Sequence, residues 1–564
     1  MLKGYGGARA AQDLIAGVIL AILLVPQAMA YAQLAGLPPV MGLFAALLPP
    51  VMYLAFGTSP FVSLGPVALV SLIVAEAAAG VRGTEPAAAA VIIAIEAGAL
   101  LCLLGAFRLG RLVNFVSEPA LLGFTAAAAF LIAFSQLPTL LGIEVDRAGN
   151  LIGAIGNLWP KLGAIDWPTT FVGLAALAAL LLFNRYAAPL LWKLGVHPPW
   201  RQAIAKSLPL LVMIGAAFAV VQMPAPVSTV EAISGGLPVL ALPTLDADLW
   251  LTLLPSSLAV AIVVFVTATA VAKSLAGADR SALDTSREAF ALGAGNIAAA
   301  LTGGYAVGAS LSRSALVEDS GASSPMASVF ASLAVLATLL ALSPLLAYLP
   351  QTALAALVIS AVFGLVKLRE IRDVASHDRI EGVIVAVAFL ATLLAGVRLG
   401  LAIGAGLGVA HYLWCSSLPR VTRIGSDDGG QSFRSVQREE VHIETLPVLV
   451  VRIDRSLYFG NAAYCENEIF ARLGKHEGVE CLVLDMRAVN GVDASGIAML
   501  RRVIHRLKLM DIMTHFAAVH MPVWEKLKRL EALDCQFHRT VGKAVDSCGG
   551  NPGEAAGANE PYPL

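Results

Sequence analysis

The sequence predicts a polytopic α-helical membrane protein. Fourteen transmembrane segments form two inverted seven-helix repeats containing two half-helices, and a small cytosolic α/β domain follows. Three observations carry this reading. Of 564 residues, 58% are hydrophobic and only 14% charged, against roughly a quarter charged in an average soluble protein. Apolar segments recur from residue 11 to about 415 and then stop. One short peptide occurs twice: SLGPVALVSL from Ser63 and SLSRSALVED from Ser310 share S-L-x-x-x-A-L-V at an offset of 247 residues.

The expected helices are 11–31, 40–56, 66–80, 86–107, 118–138, 168–184, 204–222, 253–274, 284–302, 312–322, 326–347, 351–366, 379–396 and 397–415. A full crossing needs about 20 residues. The segments opening near Gly65 and Ser312 are too short, or too interrupted by glycine, proline and polar residues, to cross simply. Lys3 and Arg9 precede the first run, and Ala28-Met29-Ala30 has the small-x-small form of a signal cleavage site. The apolar segments downstream favour a first span instead. Basic residues cluster at Arg108 and Arg111, at Arg185, Lys193, Arg201 and Lys206, at Lys273, Arg280 and Arg287, and at Lys367, Arg369, Arg372 and Arg379. Residues 207–272 contain no Lys or Arg but hold Glu231, Asp246 and Asp248. The positive-inside rule then places the N-terminus in the cytosol and residues 223–252 outside. An even number of helices returns the chain to the cytosol.

Residues 421–440 read as a polar linker. In residues 441–548, VLVVRI and ECLVLDM read as buried strands, alternating with helical stretches such as ASGIAMLRRVIHRLKLMD. Residues 549–564 have the composition of a disordered tail. The six cysteines form no C-x-x-C pair, and four lie beyond residue 460. In a cytosolic setting these read as reduced thiols without a metal role. The net charge is −1 and no basic run suggests nucleic acid. The soluble part shows no clustered nucleophile, base and metal-ligand set, so neither an enzyme nor a cofactor is expected.

The offset of 247 also pairs Gly57 with Gly304 and lays the first helix over 258–278. Residues 10–222 and 253–415 therefore read as repeats. With seven helices each, the second enters from the opposite side. Inverted repeats with broken helices place a substrate near the midplane. Arg313 fits such a site. A lone charge at the bilayer centre costs about 2.5–3.5 kcal/mol on insertion scales, so it must face a watery cavity and a partner. Two opposed helix N-termini suit an anion, and Ser312 reads as an N-cap. Extended backbone before Gly65 and Ser312 is tolerated where it lines a cavity. In the first helix Pro26 breaks the pattern beside Gln27, and Gln27 and Tyr31 (i, i+4) share a face; a polar pair bridging helices is the rival reading. Glu76, Glu96, Glu318 and Asp319 read as helix-end or paired acids, with Glu318 and Asp319 either balancing Arg313 or lying at the cytosolic mouth. Gly396, Gly400, Gly404 and Gly408 form a stripe for close helix approach.

VPQAMAYAQLAGLPPVMGLF, SLGPVALVS, GYAVGASLSRSALVEDSG and the C-terminal LYFGNA and LVLDMRAVNGVDASG resemble the SulP family of anion transporters with a STAS domain. The resemblance spans essentially the whole chain. It implies fourteen helices split into core and gate parts, a homodimer, and an anion site between the half-helices. That site would take Gly65, Pro66, Val67 and Ala68 with Ser312, Arg313 and Ser314, joined by Gln27 and Tyr31. The family moves sulfate, bicarbonate, chloride, oxalate or dicarboxylates by symport or exchange. Many members keep an acid in the eighth helix, where this chain has FVTATAVAK with Thr267 at that position. Its absence weakens proton- or sodium-coupled symport and favours exchange or uncoupled flux. Asp493–Gly496 (DASG) resembles the loop of related bacterial regulators phosphorylated on serine, which would be Ser495; a helix cap is the favoured reading of that serine. The STAS domain is expected to serve dimer contacts and cytosolic regulators. The expectation is an inner-membrane anion transporter in membrane lipid, sulfate first by family frequency, then bicarbonate or a dicarboxylate. A channel-like conductor and an anion sensor signalling through the STAS domain are the other classes.

Overall fold

The computed structural model describes residues 5–81, 83–196, 200–223, 226–231, 243–276, 283–426, 432–436, 447–528 and 535–549. Arg280, part of one basic cluster, lies outside them, as do linker residues 427–431 and 437–440 and tail residues 550–564. The chain divides into two compact units, Met1–Gly408 and Val409–Leu564.

Long runs of small and branched apolar residues make the first unit helical. Its first half contains α1 (Gly7–Ala35), α2 (Pro39–Phe44), α3 (Pro49–Phe56), β1 (Leu64–Gly65), α4 (Ala68–Ala79), α5 (Pro86–Ala106), α6 (Glu118–Ser135), α7 (Leu137–Leu141), α8 (Leu151–Leu158), α9 (Trp167–Lys193) and α10 (Trp200–Gln222). The second half contains α11 (Ala247–Leu275), α12 (Thr285–Leu301), β2 (Gly308–Ala309), α13 (Leu311–Asp319), α14 (Met326–Ala341), α15 (Ser343–Leu346), α16 (Gln351–Val362), α17 (Leu368–His377), α18 (Arg379–Ala395) and α19 (Val397–Ser417), whose residues from Val409 on belong to the second unit. Each expected segment has its helix. Three are split where proline sits in the first turn of a new helix, at α3, α7 and α15, because proline lacks the N–H that would donate to the preceding turn and so favours a helix start; α1 nonetheless runs unbroken through Pro26. The short helices α8 and α17 were not foreseen. Arg185 and Lys193 lie on α9 rather than in a loop.

The halves repeat in element order, but the offset of 247 is too large. The 29-residue helices α1 and α11 start 240 residues apart, β1 and β2 start 244 apart, and α4 and α13 start 243 apart. The shared peptide therefore does not mark equivalent positions. Serine, alanine, leucine and valine are common in both halves, and a chance match sits about one turn from the true register.

Close approach of small residues binds the helices. α5 packs along α12, where a Cβ added to Gly293 would lie 2.6 Å from the Cys102 amide nitrogen and the Gly98 carbonyl oxygen. Gly400, Gly404 and Gly408 likewise face Thr392, Ala388 and Ser117. Gly396 is not on that stripe: at φ +92° it forms the turn between α18 and α19. Buried and half-buried acids are anchors. Glu288 accepts from the Tyr53 hydroxyl at 2.7 Å, from Thr58 N at 2.6 Å and from Ser59 N at 3.2 Å. Asp13 accepts from Ser323 N at 2.6 Å and Ser324 Oγ at 2.6 Å. Glu76 accepts from Val397 N at 2.9 Å, and Glu96 from Ser257 Oγ at 2.6 Å.

The second unit is a six-stranded sheet ordered β4-β3-β5-β6-β7-β8. Its strands are β3 (Val421–Gly425), β4 (Arg434–Ser435), β5 (Val448–Ile453), β6 (Cys481–Asp485), β7 (Met513–Ala517) and β8 (Cys535–His538). β5 to β8 run parallel, and β3 pairs antiparallel with β4 and β5. The helices are α20 (Ala462–Leu473), α21 (Ala494–Leu509), α22 (Met521–Leu527) and α23 (Val541–Gly549). Residues 421–425, read as the start of a linker, are thus a buried strand of this sheet, paired on both sides, with Ile424 fully covered. α20 and α21 pack on one face and α23 on the other. Cys481 is bonded to Cys548, 67 residues away in sequence. This corrects the expectation of reduced thiols: β6 and α23 bring the pair together, a proximity no sequence spacing announces. Next to them, burial and the neighbouring His538 push the His515 imidazole down to about 4, so it is neutral.

Candidate functional site

β1 and β2 cross in the middle of the first unit, Leu64 opposite Ala309 and Gly65 opposite Gly308, antiparallel. Gly65 precedes a proline, which holds it away from helical angles. Ser310 N donates to Ser63 O at 3.3 Å, and Ser63 N to Ser314 Oγ at 3.0 Å. These pairings satisfy backbone that is not helical, the condition for such backbone at membrane depth. From the crossing, each chain turns into a short helix. α4 has 12 residues and α13 has 9, about 18 and 14 Å at 1.5 Å per residue, each near half of a 30 Å hydrocarbon core. Because the strands are antiparallel, the helices leave in opposite directions with their N-termini back to back.

Arg313, in the first turn of α13, is fully buried. Its Nη1 donates to the Pro66 carbonyl oxygen at 2.8 Å, the carbonyl next to the start of α4. Among the described residues its Nε and Nη2 have no hydrogen-bond partner. Among the described residues no ion pair includes Arg313. Glu318 and Asp319, considered as its balance, are exposed in the last turn of α13. A Cβ on Gly65 would stand 3.3 Å from Arg313 Nη2, so the glycine leaves the guanidinium open on that side. The first turn of α4 has no side-chain cap, and its leading N–H groups are left for another acceptor. A buried cation with two open donors, at the junction of two helix N-termini, attracts an anion.

The remaining expected residues fall as follows. The cap of α13 is Ser310, whose Oγ accepts from Arg313 N at 3.4 Å, and not Ser312, which is exposed. The helix starts one residue earlier than expected, so the capping position moves with it. Ser314 accepts from Ser63 N and keeps its own proton to donate. Val67 and Ala68 form the turn into α4, Val67 as its N-cap. On α1, Leu24 Cδ1 is 3.6 Å from a Cβ placed on Gly65. Gln27 and Tyr31, three and seven residues on, continue that face. Both are buried, and Gln27 Oε1 has no partner among the described residues. Val264 on α11 lies 3.6 Å from a Cβ placed on Gly308, and Thr267 follows it along the same face. The Thr267 hydroxyl donates to Val263 O at 2.6 Å, within its own helix. Ser495 is exposed in the first turn of α21. The cap there is Asp493, accepting from Gly496 N at 2.8 Å, because a carboxylate already occupies the capping position.

Two supports escaped the sequence reading. Asn296, fully buried on α12, accepts from Val307 N at 2.9 Å and donates to Val307 O at 3.1 Å, fixing the approach to β2. The Tyr305 hydroxyl lies 2.9 Å from Ser71 Oγ, tying that approach to the first turn of α4. The signal was there: an asparagine among small apolar residues in a membrane helix is costly unless a partner waits.

Residues 11–388 match the sulfate permease family, and residues 440–544 match the STAS domain. The chain is 32% identical over 514 residues to sulfate transporter 4.1, chloroplastic, of Arabidopsis thaliana, covering 89% of this chain and 74% of that one. It is 29% identical over 564 residues to sulfate transporter 2.1 of the same plant, covering 95% and 82%. The fold resembles that of the murine Solute Carrier 26 family member A9 anion transporter in its inward-facing state, with a TM-score of 0.87 at 21% identity over 96% of this chain and 92% of that one. The transmembrane domain of a cyanobacterium bicarbonate transporter aligns at a TM-score of 0.59 and 18% identity, over 71% and 97%.

Proposed function

This chain belongs to the sulfate permease family, and from that premise we propose that it carries sulfate across the membrane as a secondary transporter working by alternating access. The observation that carries the substrate site is Arg313, with two unpartnered guanidinium nitrogens where α4 and α13 begin. Each helix N-terminus is equivalent to about half a positive charge. With the guanidinium, the junction offers about two positive charges, the complement of a sulfate dianion. Arg313 holds one face of the anion through Nε and Nη2 while Nη1 stays on Pro66 O. The amides around Gly65, Val67 and Ala68 hold the other. Gln27 and Tyr31 close the site from α1, and the Ser312 and Ser314 hydroxyls adjust fit. The core elements carrying α4 and α13 then move against the gate helices to expose the site to one side at a time.

Exchange is the proposed mode. Thr267 stands where a coupling carboxylate would sit, and its proton is committed to Val263 O. Transport belongs to residues 1–420 and regulation to the STAS domain at residues 441–548, with Ser495 an exposed position for it. The N-terminus and the STAS domain lie in the cytosol by the charge asymmetry of the loops, in a homodimer in the inner membrane.

The test is radiolabelled sulfate uptake into proteoliposomes, with and without trans anion, and with bicarbonate, succinate and chloride as competitors. Wild-type uptake is expected to be saturable, stimulated by trans-sulfate and indifferent to an inward proton gradient. Arg313→Ala should lower it at least tenfold while the protein stays monodisperse. Unchanged uptake in that variant would remove Arg313 from the site, and acid-driven accumulation would overturn exchange.

A further inference from the structure

Four nitrogen and sulfur side chains meet on one face of the sheet in the second unit, away from any role described so far. Cys481 opens β6. Val483, two residues on, stands opposite His515 of β7, so Cys481 and His515 project to the same face. His515 stands opposite Gln536 of β8, which puts His538 on that face as well. α23 covers this face, and Cys548 in its last turn reaches Cys481. One donor atom each from Cys481, His515 and Cys548 lies within 4.8 Å of the others. His515 Nδ1 is 2.9 Å from His538 Nε2. Cys481 is 0% exposed, His515 2%, His538 6% and Cys548 9%.

We propose that, in the reduced chain, Cys481, His515 and Cys548 bind a zinc-class cation, with His538 orienting His515. A disulfide between the two cysteines uses neither histidine. Two imidazoles stand beside it in a cluster otherwise built of isoleucine, valine and alanine, where a polar ring needs a polar partner. Two thiolates and one imidazole are the soft and borderline donors that zinc selects, and three protein ligands leave its fourth position for water or an outside ligand. The His515–His538 bond is the outer partner such sites use: with Nδ1 engaged by His538, His515 presents Nε2. Binding is balanced as two thiols and one divalent cation giving two metal–thiolate bonds and two released protons. The ion ties α23 to β6 and β7, so metal and thiol oxidation compete for the same pair of sulfurs.

The experiment uses the full chain in detergent, reduced with a phosphine, stripped with a chelator and titrated with cobalt. The expected result is a thiolate-to-cobalt absorption band saturating at one equivalent per chain, bleached by zinc. The Cys481→Ser/Cys548→Ser variant should lose the band. His538→Gln should keep it with affinity lowered about 10- to 100-fold. Replacing Cys102, Cys415 and Cys465 together by serine should leave it unchanged. The same wild-type preparation left oxidised should show no band and gain it on reduction, a comparison free of any folding defect in a variant. No band in the reduced wild type, or a band that survives in the Cys481→Ser/Cys548→Ser variant, overturns the proposal.

Discussion

Arg313 shows how a single buried charge organises its surroundings. Its one fixed hydrogen bond crosses between repeats to Pro66 O, and the rest of the guanidinium is left open. Glu288 is the opposite case, a buried carboxylate whose acceptor capacity is filled by Tyr53, Thr58 and Ser59. Its work is to pin the loop after α3 to the start of α12. Glu288→Ala leaves a tyrosine hydroxyl and two amides without an acceptor in the interior. Such orphans cost about 1–3 kcal/mol each when wholly buried, so a loss of about 2–4 kcal/mol is expected after partial relaxation. A lowered melting temperature in detergent, with sulfate uptake per folded molecule preserved, is the predicted outcome; an unchanged melting temperature would show the acid to be dispensable.

At the scale of elements, the two half-helices depend on their neighbours for depth and direction. Neither α4 nor α13 is long enough to cross, and the antiparallel pair β1–β2 sets where they begin. α3, α11 and α12 hold that pair in place and α5 braces α12, and the α5–α12 seam is close because Gly98 and Gly293 carry no side chain. Gly293→Val should therefore separate the seam and sharply reduce the yield of monodisperse protein. Gly406→Ala, on α19 with nothing within 4 Å of the added methyl group, should be neutral in the same assay. Equal behaviour of the two variants would mean that the seam tolerates widening.

For the whole molecule, the division at Gly408/Val409 bears on how the parts can be separated. β3 is a strand of the second unit, so a cut at residue 440 would take away β5, its longer partner, and uncover Val421 and Ile424, both buried in the intact sheet. A truncation after Leu418 removes the whole sheet instead. If transport resides in the membrane part, this truncation should stay folded and keep measurable sulfate uptake in proteoliposomes, and it should outperform a truncation at residue 440 in yield. A monodisperse truncation with no uptake at all would place an essential part of the cycle in the second unit.

By itself the sequence determined the fourteen apolar segments, the two broken ones among them, the α/β domain behind them and the arginine at the break. Apolar run length, glycine and proline interruptions and the cost of a buried charge are local properties, and a chain in lipid has few other ways to satisfy its backbone. The tertiary structure decided what depends on contacts across the chain. It put Ser310 rather than Ser312 at the helix cap and moved the repeat register from 247 to 240–244. It took residues 421–425 into the sheet, and it joined Cys481 to Cys548 beside His515 and His538. Asn296 and Tyr305 belong to this second group as well. Their types were visible, but a polar side chain reveals its purpose only when packing brings its partner, and that partner is set by the fold and not by any periodicity in the chain.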